Sequence, residues 1–294
     1  MPRKSSVSDI KLSSLDNLFG MTDSTDSVSD VKEISIDELY EFNGHPFKVR
    51  DDEKMQELTD SIKEHGVLVP GIARLRPKGG YEIIAGHSRK QACINAGLTT
   101  MPMFIKNLSD DEATIVMVDS NIQREDILPS EKAKAYKMKY EAIKHQGVKG
   151  NSLIAVGEEA GESAKTVQRY VWLARLNDEL LEMVDTKQIS IVQGIDISFL
   201  TDTEQSWILN AFDRFGINVT TSQSAELKAK SQAGELDETV VWSIIAPVVD
   251  KKKPRKVTFK AKKLDEYFAD SYSEEQIEEI IIGLLDRWKQ EERI

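Results

Sequence analysis

Cysteine is almost absent: Cys93 is the one thiol in a chain of 294 residues. A single thiol excludes an internal disulfide and a multi-cysteine zinc site, and it fits a reducing cytoplasm. Long apolar runs are lacking too. None approaches the roughly 18 residues that a membrane span needs, and the N-terminus has no apolar signal-peptide core. Neither a membrane partner nor a secretory address is expected. The four histidines, His45, His65, His87 and His145, form no HxH or HExxH spacing, which argues against a dedicated metal-hydrolase site.

What is present is the composition of globular domains, 40% hydrophobic and 30% charged, with a net charge of −11. That acidity is unevenly spread. Residues 130–176 carry nine Lys/Arg against five Asp/Glu, and residues 243–263 carry eight against one, whereas 264–294 carry three against ten. The positive charge is therefore gathered into two segments, which serve either as solvated faces or as anion-binding surfaces.

The organisation along the chain follows from composition and periodicity. Residues 1–31 are rich in Ser, Asp and Thr and bury too little to order themselves, so they read as a disordered tail with one apolar island, Leu15, Leu18 and Phe19. Residues 32–128 read as a small mixed α/β unit. It has a strand at 34–36, a helix over 52–65, paired strands at 71–75 and 81–85 around the turn Pro77-Lys78-Gly79-Gly80, a helix over 88–96, a strand at 103–105 and a helix over 110–121. Residues 129–250 are almost wholly helical in pattern. Residues 251–263, with Lys251-Lys252-Lys253-Pro254-Arg255-Lys256, read as a basic linker. In 264–294 a helix over 273–290 puts Ile277, Ile280, Ile281, Leu284, Leu285 and Trp288 on one face.

Two constellations carry chemistry. Within 152–173, Gly157, Gly161 and Val167 supply the small residue at a helix crossing, the glycine of a tight turn and the apolar anchor of a second helix, the requirements of a helix-turn-helix. Ser163 is placed to cap the second helix. Ala164, Lys165, Thr166, Gln168 and Arg169 then lie outward or flanking, with side chains suited to phosphates and base edges. An ordinary helical hairpin has the same outline. The second constellation comprises Gly66-x-x-x-Pro70-x-x-x-Arg74, the strand-to-helix turn Gly86-His87-Ser88-Arg89, and Asn121-Ile122-Gln123-Arg124. A glycine opening a helix lets an anion approach free backbone N–H groups, and an arginine one turn in adds a bidentate contact. Physics alone stops at an anion site.

These residues, in this order and over about 32–200, resemble the ParB-type partition proteins. The run from Gly66-Val67-Leu68-Val69-Pro70 through Tyr81 to Arg89, then Asn121 to Asp126, and then the helix-turn-helix carries the similarity. The resemblance implies an α+β chain: a ParB/sulfiredoxin-like N-terminal domain, a helical DNA-binding domain and a short C-terminal dimerisation element. It implies CTP with Mg²⁺, the triphosphate lying against Gly66, Pro70, Arg74, Gly86, His87, Ser88, Arg89, Asn121, Gln123 and Arg124, and no metal ligand is assigned. It implies a homodimeric clamp on double-stranded DNA in the cytoplasm, on the nucleoid, and a ParA-type ATPase as partner of the tail. Three positions in these motifs differ from the family pattern. His87-Ser88 replaces Glu-Arg, and Ser120 stands where a Glu linked to hydrolysis precedes the Asn, which leaves a weak CTPase activity open. A divergent member from a plasmid or integrated element fits these differences. A transcription regulator lacking the CTP switch is the rival reading, and an enzyme on the same fold the next. For the enzyme, Cys93 falls a helical turn beyond the place of a sulfiredoxin nucleophile and reads as packing.

Overall fold

The computed structural model describes residues 31–124, 126–147, 152–158, 160–216, 218–246, 261–269 and 271–291. The tail with its island at Leu15, Leu18 and Phe19, and the linker through 260, lie outside the described residues. Contacts divide the chain into two compact units, 1–246 and 247–294.

The first unit begins with five strands: β1 (Val31–Ser35), β2 (Leu39–Tyr40), β3 (Gly71–Leu75), β4 (Tyr81–Ala85) and β5 (Thr100–Ile105). Their order in one mixed sheet is β1-β5-β3-β4-β2. β1 runs antiparallel to β5 and β3 antiparallel to β4, while β3–β5 and β2–β4 are parallel. The β3–β4 hairpin turns through Gly79 and Gly80, both at positive φ. At Gly80 a side chain would also strike the Glu38 carbonyl at 2.8 Å.

Three helices cover the sheet: α1 (Glu53–His65), α2 (His87–Asn95) and α3 (Asp110–Ile122). Alternation along the strands assigns the faces. Ala73, Ile83, Met101 and Met103 pack with Met55 and Ile62 of α1 and Ala92 and Cys93 of α2. Ile72, Ile84 and Ala85 pack with Ala113 and Met117 of α3. Both faces are buried, which is why β4 reads Ile83-Ile84 rather than apolar–polar. Cys93 is fully buried, and burial pushes its thiol up. It packs as a small hydrophobe and is no candidate nucleophile.

The helical region follows: α4 (Pro129–His145), α5 (Ser152–Gly157), α6 (Ala164–Leu173), α7 (Asp178–Asp185), α8 (Ile191–Ile197), α9 (Asp202–Phe215), α10 (Thr221–Ala233) and α11 (Glu238–Ile245). α4 opens on Pro129, a residue suited to the first helical position because it lacks the N–H that would go unpaired there. The side chains of Ser163, Asn177, Ser190, Thr201, Thr220 and Asp237 each cap the helix that follows, a contribution of about 1 kcal/mol apiece. α6 to α11 share one core that includes Leu173, Leu180, Leu181, Ile195, Ile208 and Leu227. The chain is thus α+β: a small sheet domain followed by an all-helical region.

In the second unit, α12 (Ala261–Leu264) precedes α13 (Glu274–Glu291). α13 buries none of its residues, and Ile280, Leu284, Leu285 and Trp288 stay exposed. No helix among the described residues is long and apolar enough to cross a membrane.

Candidate nucleotide cleft and nucleic-acid interface

The turn from β4 into α2 builds the first site. Gly86 sits at φ 115° and ends the strand. A Cβ there would press within 3.3 Å of the Gly71 Cα, so both the backbone angle and the space require glycine. The first N–H groups of α2 lack helical acceptors and face the turn with the positive end of the dipole. Arg124 reaches this turn from the end of α3, donating to Ser88 Oγ at 3.2 Å and to Asn121 Oδ1 at 3.3 Å. Asn121 is held in turn by the Met117 carbonyl at 2.8 Å. Arg89 donates to the carbonyls of Val69 and Pro70 at 2.5 and 2.7 Å, which ties the 66–70 segment to α2, and burial lowers its pKa.

Two adjoining clefts, about 260 and 270 Å³ in volume, meet at Phe47, Ser88 and Arg124. Each is near the lower end of the roughly 300–1,000 Å³ typical of small-molecule sites. The first is lined by Gly86, His87, Ser88, Arg89, Asn121 and Arg124 together with His45, Phe47 and Ser120, and among the described residues no carboxylate lines it. The second adds Lys48, Arg50 and Lys54, with Asp52, Asp126 and Glu131 among its walls. Glu131 is buried and accepts from the Lys48 N–H at 2.9 Å and from Arg50 at 3.4 Å, so the 41–52 loop is fastened to the start of α4.

Most residues read as an anion site from sequence come together here, but four do not line either cleft. Arg74 pairs across the β3–β4 register with Glu82 at 2.6 Å, and its remaining donors go to Asp110 at 2.7 Å and the Leu108 carbonyl at 3.2 Å. These carboxylates occupy the guanidinium that was expected to meet phosphate. Gly66 ends α1 at φ 70°, and its N–H bonds the Ile62 carbonyl. Gln123 caps α3 at the surface. Pro70 enters only through its carbonyl. The sequence reading missed the 41–52 loop, which supplies His45, Phe47, Lys48 and Arg50. Its signal was an irregular polar stretch around Pro46 between a strand and a capped helix, where functional loops concentrate.

His45 and His87 stack at the inner cleft, ring centroids 3.9 Å apart and planes tilted by 41°. Burial, then His45, Lys90 and Arg124, push His87 down to about 3. Burial also lowers His45, although its Nδ1 bonds the Phe47 carbonyl at 2.8 Å. Both rings are therefore neutral at pH 7.

The second site is the α5–turn–α6 segment. Gly157 ends α5 against the turn, Gly161 takes φ 63° within it, and the Glu162 N–H closes it on the Gly157 carbonyl at 2.9 Å. Val167 and Val171 are buried with Val156 of α5 and with Tyr136 and Ile143 of α4. The Glu162 carboxylate pins the turn to α4 through Lys132 and through the Tyr136 hydroxyl at 2.9 Å. Opposite this core, Ser163, Lys165 and Arg169 are exposed, with Ala164, Thr166 and Gln168 half-buried beside them. Ser163 Oγ accepts the Thr166 N–H at 3.2 Å. Among the described residues Lys165 and Arg169 have no salt-bridge partner, and both are exposed on the leading turns of the second helix. Among the described residues no group of three or more His, Cys, Asp or Glu side chains could hold a metal.

A model of the ParB N-terminal domain matches residues 21–122. The chain is 31% identical over 190 residues to a probable chromosome 1-partitioning protein ParB of Deinococcus radiodurans, covering 64% of this chain and 63% of that one. Residues 21–122 thus carry the match to the ParB N-terminal domain, and over a longer stretch the chain is similar to ParB-type partition proteins. It is as similar to a nucleoid occlusion protein of Listeria innocua, 32% identical over 58% of each chain. The chain spans less than two thirds of the length of either relative. It is also similar to a solved structure, the C-terminally truncated chromosome-partitioning protein ParB from Caulobacter crescentus complexed with CTP-γ-S, at 26% identity and a TM-score of 0.31, covering 59% of this chain and 94% of that one.

Proposed function

We propose that this chain is a sequence-specific DNA-binding partition protein that acts as a CTP-gated clamp. The observation that carries the DNA half is the α5–turn–α6 unit, which turns an anchored apolar face inward and exposed Lys165 and Arg169 outward. Such a helix enters a major groove with its N-terminal residues toward the bases. Ser163, Ala164, Lys165, Thr166, Gln168 and Arg169 form the reading surface. Residues 32–128 form the nucleotide domain, 129–250 the DNA-binding domain, and 264–294 the dimerisation element joined by the 251–263 linker. The setting is the cytoplasm, on the nucleoid, and the 1–31 tail is the segment offered to a ParA-type ATPase.

The inner cleft supports the nucleotide half. Gly86, Ser88, Arg89, Asn121 and Arg124 surround a helix N-terminus with no acidic wall among the described residues, a donor set that suits a triphosphate. These residues bind and orient the phosphates. Mg²⁺, where bound, would be held by the phosphate oxygens, since among the described residues this cleft offers no carboxylate, and would offset their charge. Ser120 donates its hydroxyl to the Met117 carbonyl at 2.9 Å and offers no carboxylate to activate water. We therefore assign nucleotide binding, not turnover, as the working activity.

Retention on DNA closed at both ends tests the reading. CTP is expected to raise the amount of protein held on a closed duplex containing its site, and not on an open one. Retention indifferent to CTP would favour a transcription regulator with the same DNA contacts. Two substitution experiments extend the test. Arg169→Ala is expected to weaken site binding about tenfold and to lower the slope of log affinity against log salt by about one if Arg169 meets phosphate. Unchanged affinity and slope would remove Arg169 from the interface. Deletion of 264–294 is expected to yield monomers in light scattering, because the exposed Ile280, Leu284, Leu285 and Trp288 stripe is matched to a second copy. A truncated protein that remained dimeric would put the dimer contact elsewhere.

A further inference from the structure

The neutral histidine pair is the part of the cleft that the family reading leaves without a role. His45 and His87 come from separate elements, the 41–52 loop and the first turn of α2, and meet because β2 runs parallel beside β4. The Phe47 carbonyl can only accept, so His45 Nδ1 carries the hydrogen and its Nε2 is a bare lone pair. Neither His45 Nε2 nor His87 Nε2 has a hydrogen-bond partner, although both are buried. Buried polar atoms left this way in a native fold call for a ligand, a proton or an ion. The surroundings favour an anion over a bare cation, because Arg89 and Arg124 line the same cleft and among the described residues no carboxylate does.

We propose that His45 is the proton-accepting group of this anion site, becoming an imidazolium when a polyphosphate enters the cleft. The proposal rests on the polyphosphate reading given above. Glu41 and Glu131 favour the charged form of His45 and Arg124 opposes it, whereas His87 faces Lys90 and Arg124 and has no acidic neighbour. Lys90 is itself held by the Leu39 carbonyl at 2.7 Å, and Arg89 by Val69 and Pro70. His45 is thus the ring that takes the proton first. Protonation at Nε2 keeps the bond to Phe47 and turns the orphan acceptor into a donor. Rings 3.9 Å apart cannot both be cations, since two like charges at that distance repel strongly. One proton is therefore the limit. The empty cleft keeps its imidazoles neutral because of burial and the nearby cations. An incoming polyanion reverses that balance by supplying the missing negative charge.

The sign of the linkage follows. Binding raises the pKa of His45, so binding takes up a proton, and affinity rises as pH falls through the pKa of the complex toward that of the free protein. The slope approaches about tenfold per pH unit for one proton. Calorimetric titration of the full chain in buffers of different ionisation enthalpy at pH 6.5 counts the protons, with CTP and, separately, inorganic tripolyphosphate as probes. The ligands titrate near the same pH, so the informative quantity is wild type minus His45→Gln. Wild type is expected to take up as much as one proton more than His45→Gln. Should His45→Gln fail to fold, the ring carbon resonances of the four histidines in wild type give the same answer: tripolyphosphate should raise the pKa of one buried histidine by a unit or more. CTP binding with no excess uptake would overturn the proton role and leave the nucleotide reading intact. Tripolyphosphate binding with uptake, in the absence of CTP binding, would sustain the proton role and remove the nucleotide. Binding of neither probe would overturn both.

Discussion

Gly157→Ala is expected to disable DNA recognition while leaving the nucleotide cleft able to bind. A Cβ at 157 would lie 2.4 Å from the Glu162 carbonyl oxygen and 3.0 Å from Val167 Cγ2. The first contact is with backbone, so no side-chain rotation relieves it. The turn must move, and with it go the Glu162 N–H bond to the Gly157 carbonyl and the Glu162 carboxylate that holds Lys132 and Tyr136. Overpacking of this kind costs about 1–3 kcal/mol, against which the better helix propensity of alanine returns about 1 kcal/mol. The larger effect is on placement of α6, because Ser163 and Lys165 follow the displaced turn directly. DNA affinity is expected to fall at least about tenfold, equivalent to about 1.4 kcal/mol, with a lower melting temperature and unchanged CTP affinity. Wild-type melting and DNA affinity in the variant would mean that the two helices do not cross as closely as the structure has them.

The same glycine shows what was legible in the sequence. Gly157, Gly161, Ser163 and Val167 are short-range signals, each demanded by local geometry, and the strands 71–75 and 81–85 are bounded as the alternation and the Gly79-Gly80 turn require. Most of the anion turn was legible for the same reason, a glycine opening a helix. The rest of the cleft depends on register between distant segments. β2 has only two residues, too few to show a period, yet its parallel pairing with β4 delivers the 41–52 loop to the α2 turn. Nothing local to His45 announces His87 as its neighbour. Arg74 is a different case, because its cross-strand partner was legible. Once 71–75 and 81–85 are a hairpin, Arg74 falls opposite Glu82, and an arginine across from a glutamate is a cross-strand pair before it is a phosphate ligand.

Asp119→Ala is expected to have the largest effect on stability. Lys139 of α4 is 1% exposed, and its ammonium is paired with Asp119 of α3, whose side chain is 13% exposed. Breaking a buried pair by removing one partner leaves a charge that neither water nor protein solvates, at a cost of about 3–5 kcal/mol. In a unit of this size that corresponds to a fall in melting temperature on the order of 10 °C. Lys139→Met should cost less, because it strands the carboxylate nearer to solvent. Replacing both, as in Asp119→Leu with Lys139→Met, should recover most of the loss, since an apolar pair needs no desolvation to be repaid. Position 119 also gives the loss a functional reading. Its neighbours Ser120 and Asn121 line the inner cleft, and Lys139 lies on the helix whose first turns hold Glu131, fastened to the 41–52 loop, and Lys132, fastened to the α5–α6 turn. The pair thus clamps the end of α3 to the element common to both sites, so Asp119→Ala is expected to weaken nucleotide and DNA binding together, unlike Gly157→Ala, which separates them. A variant that melts with wild type would show that the ammonium finds another partner or water.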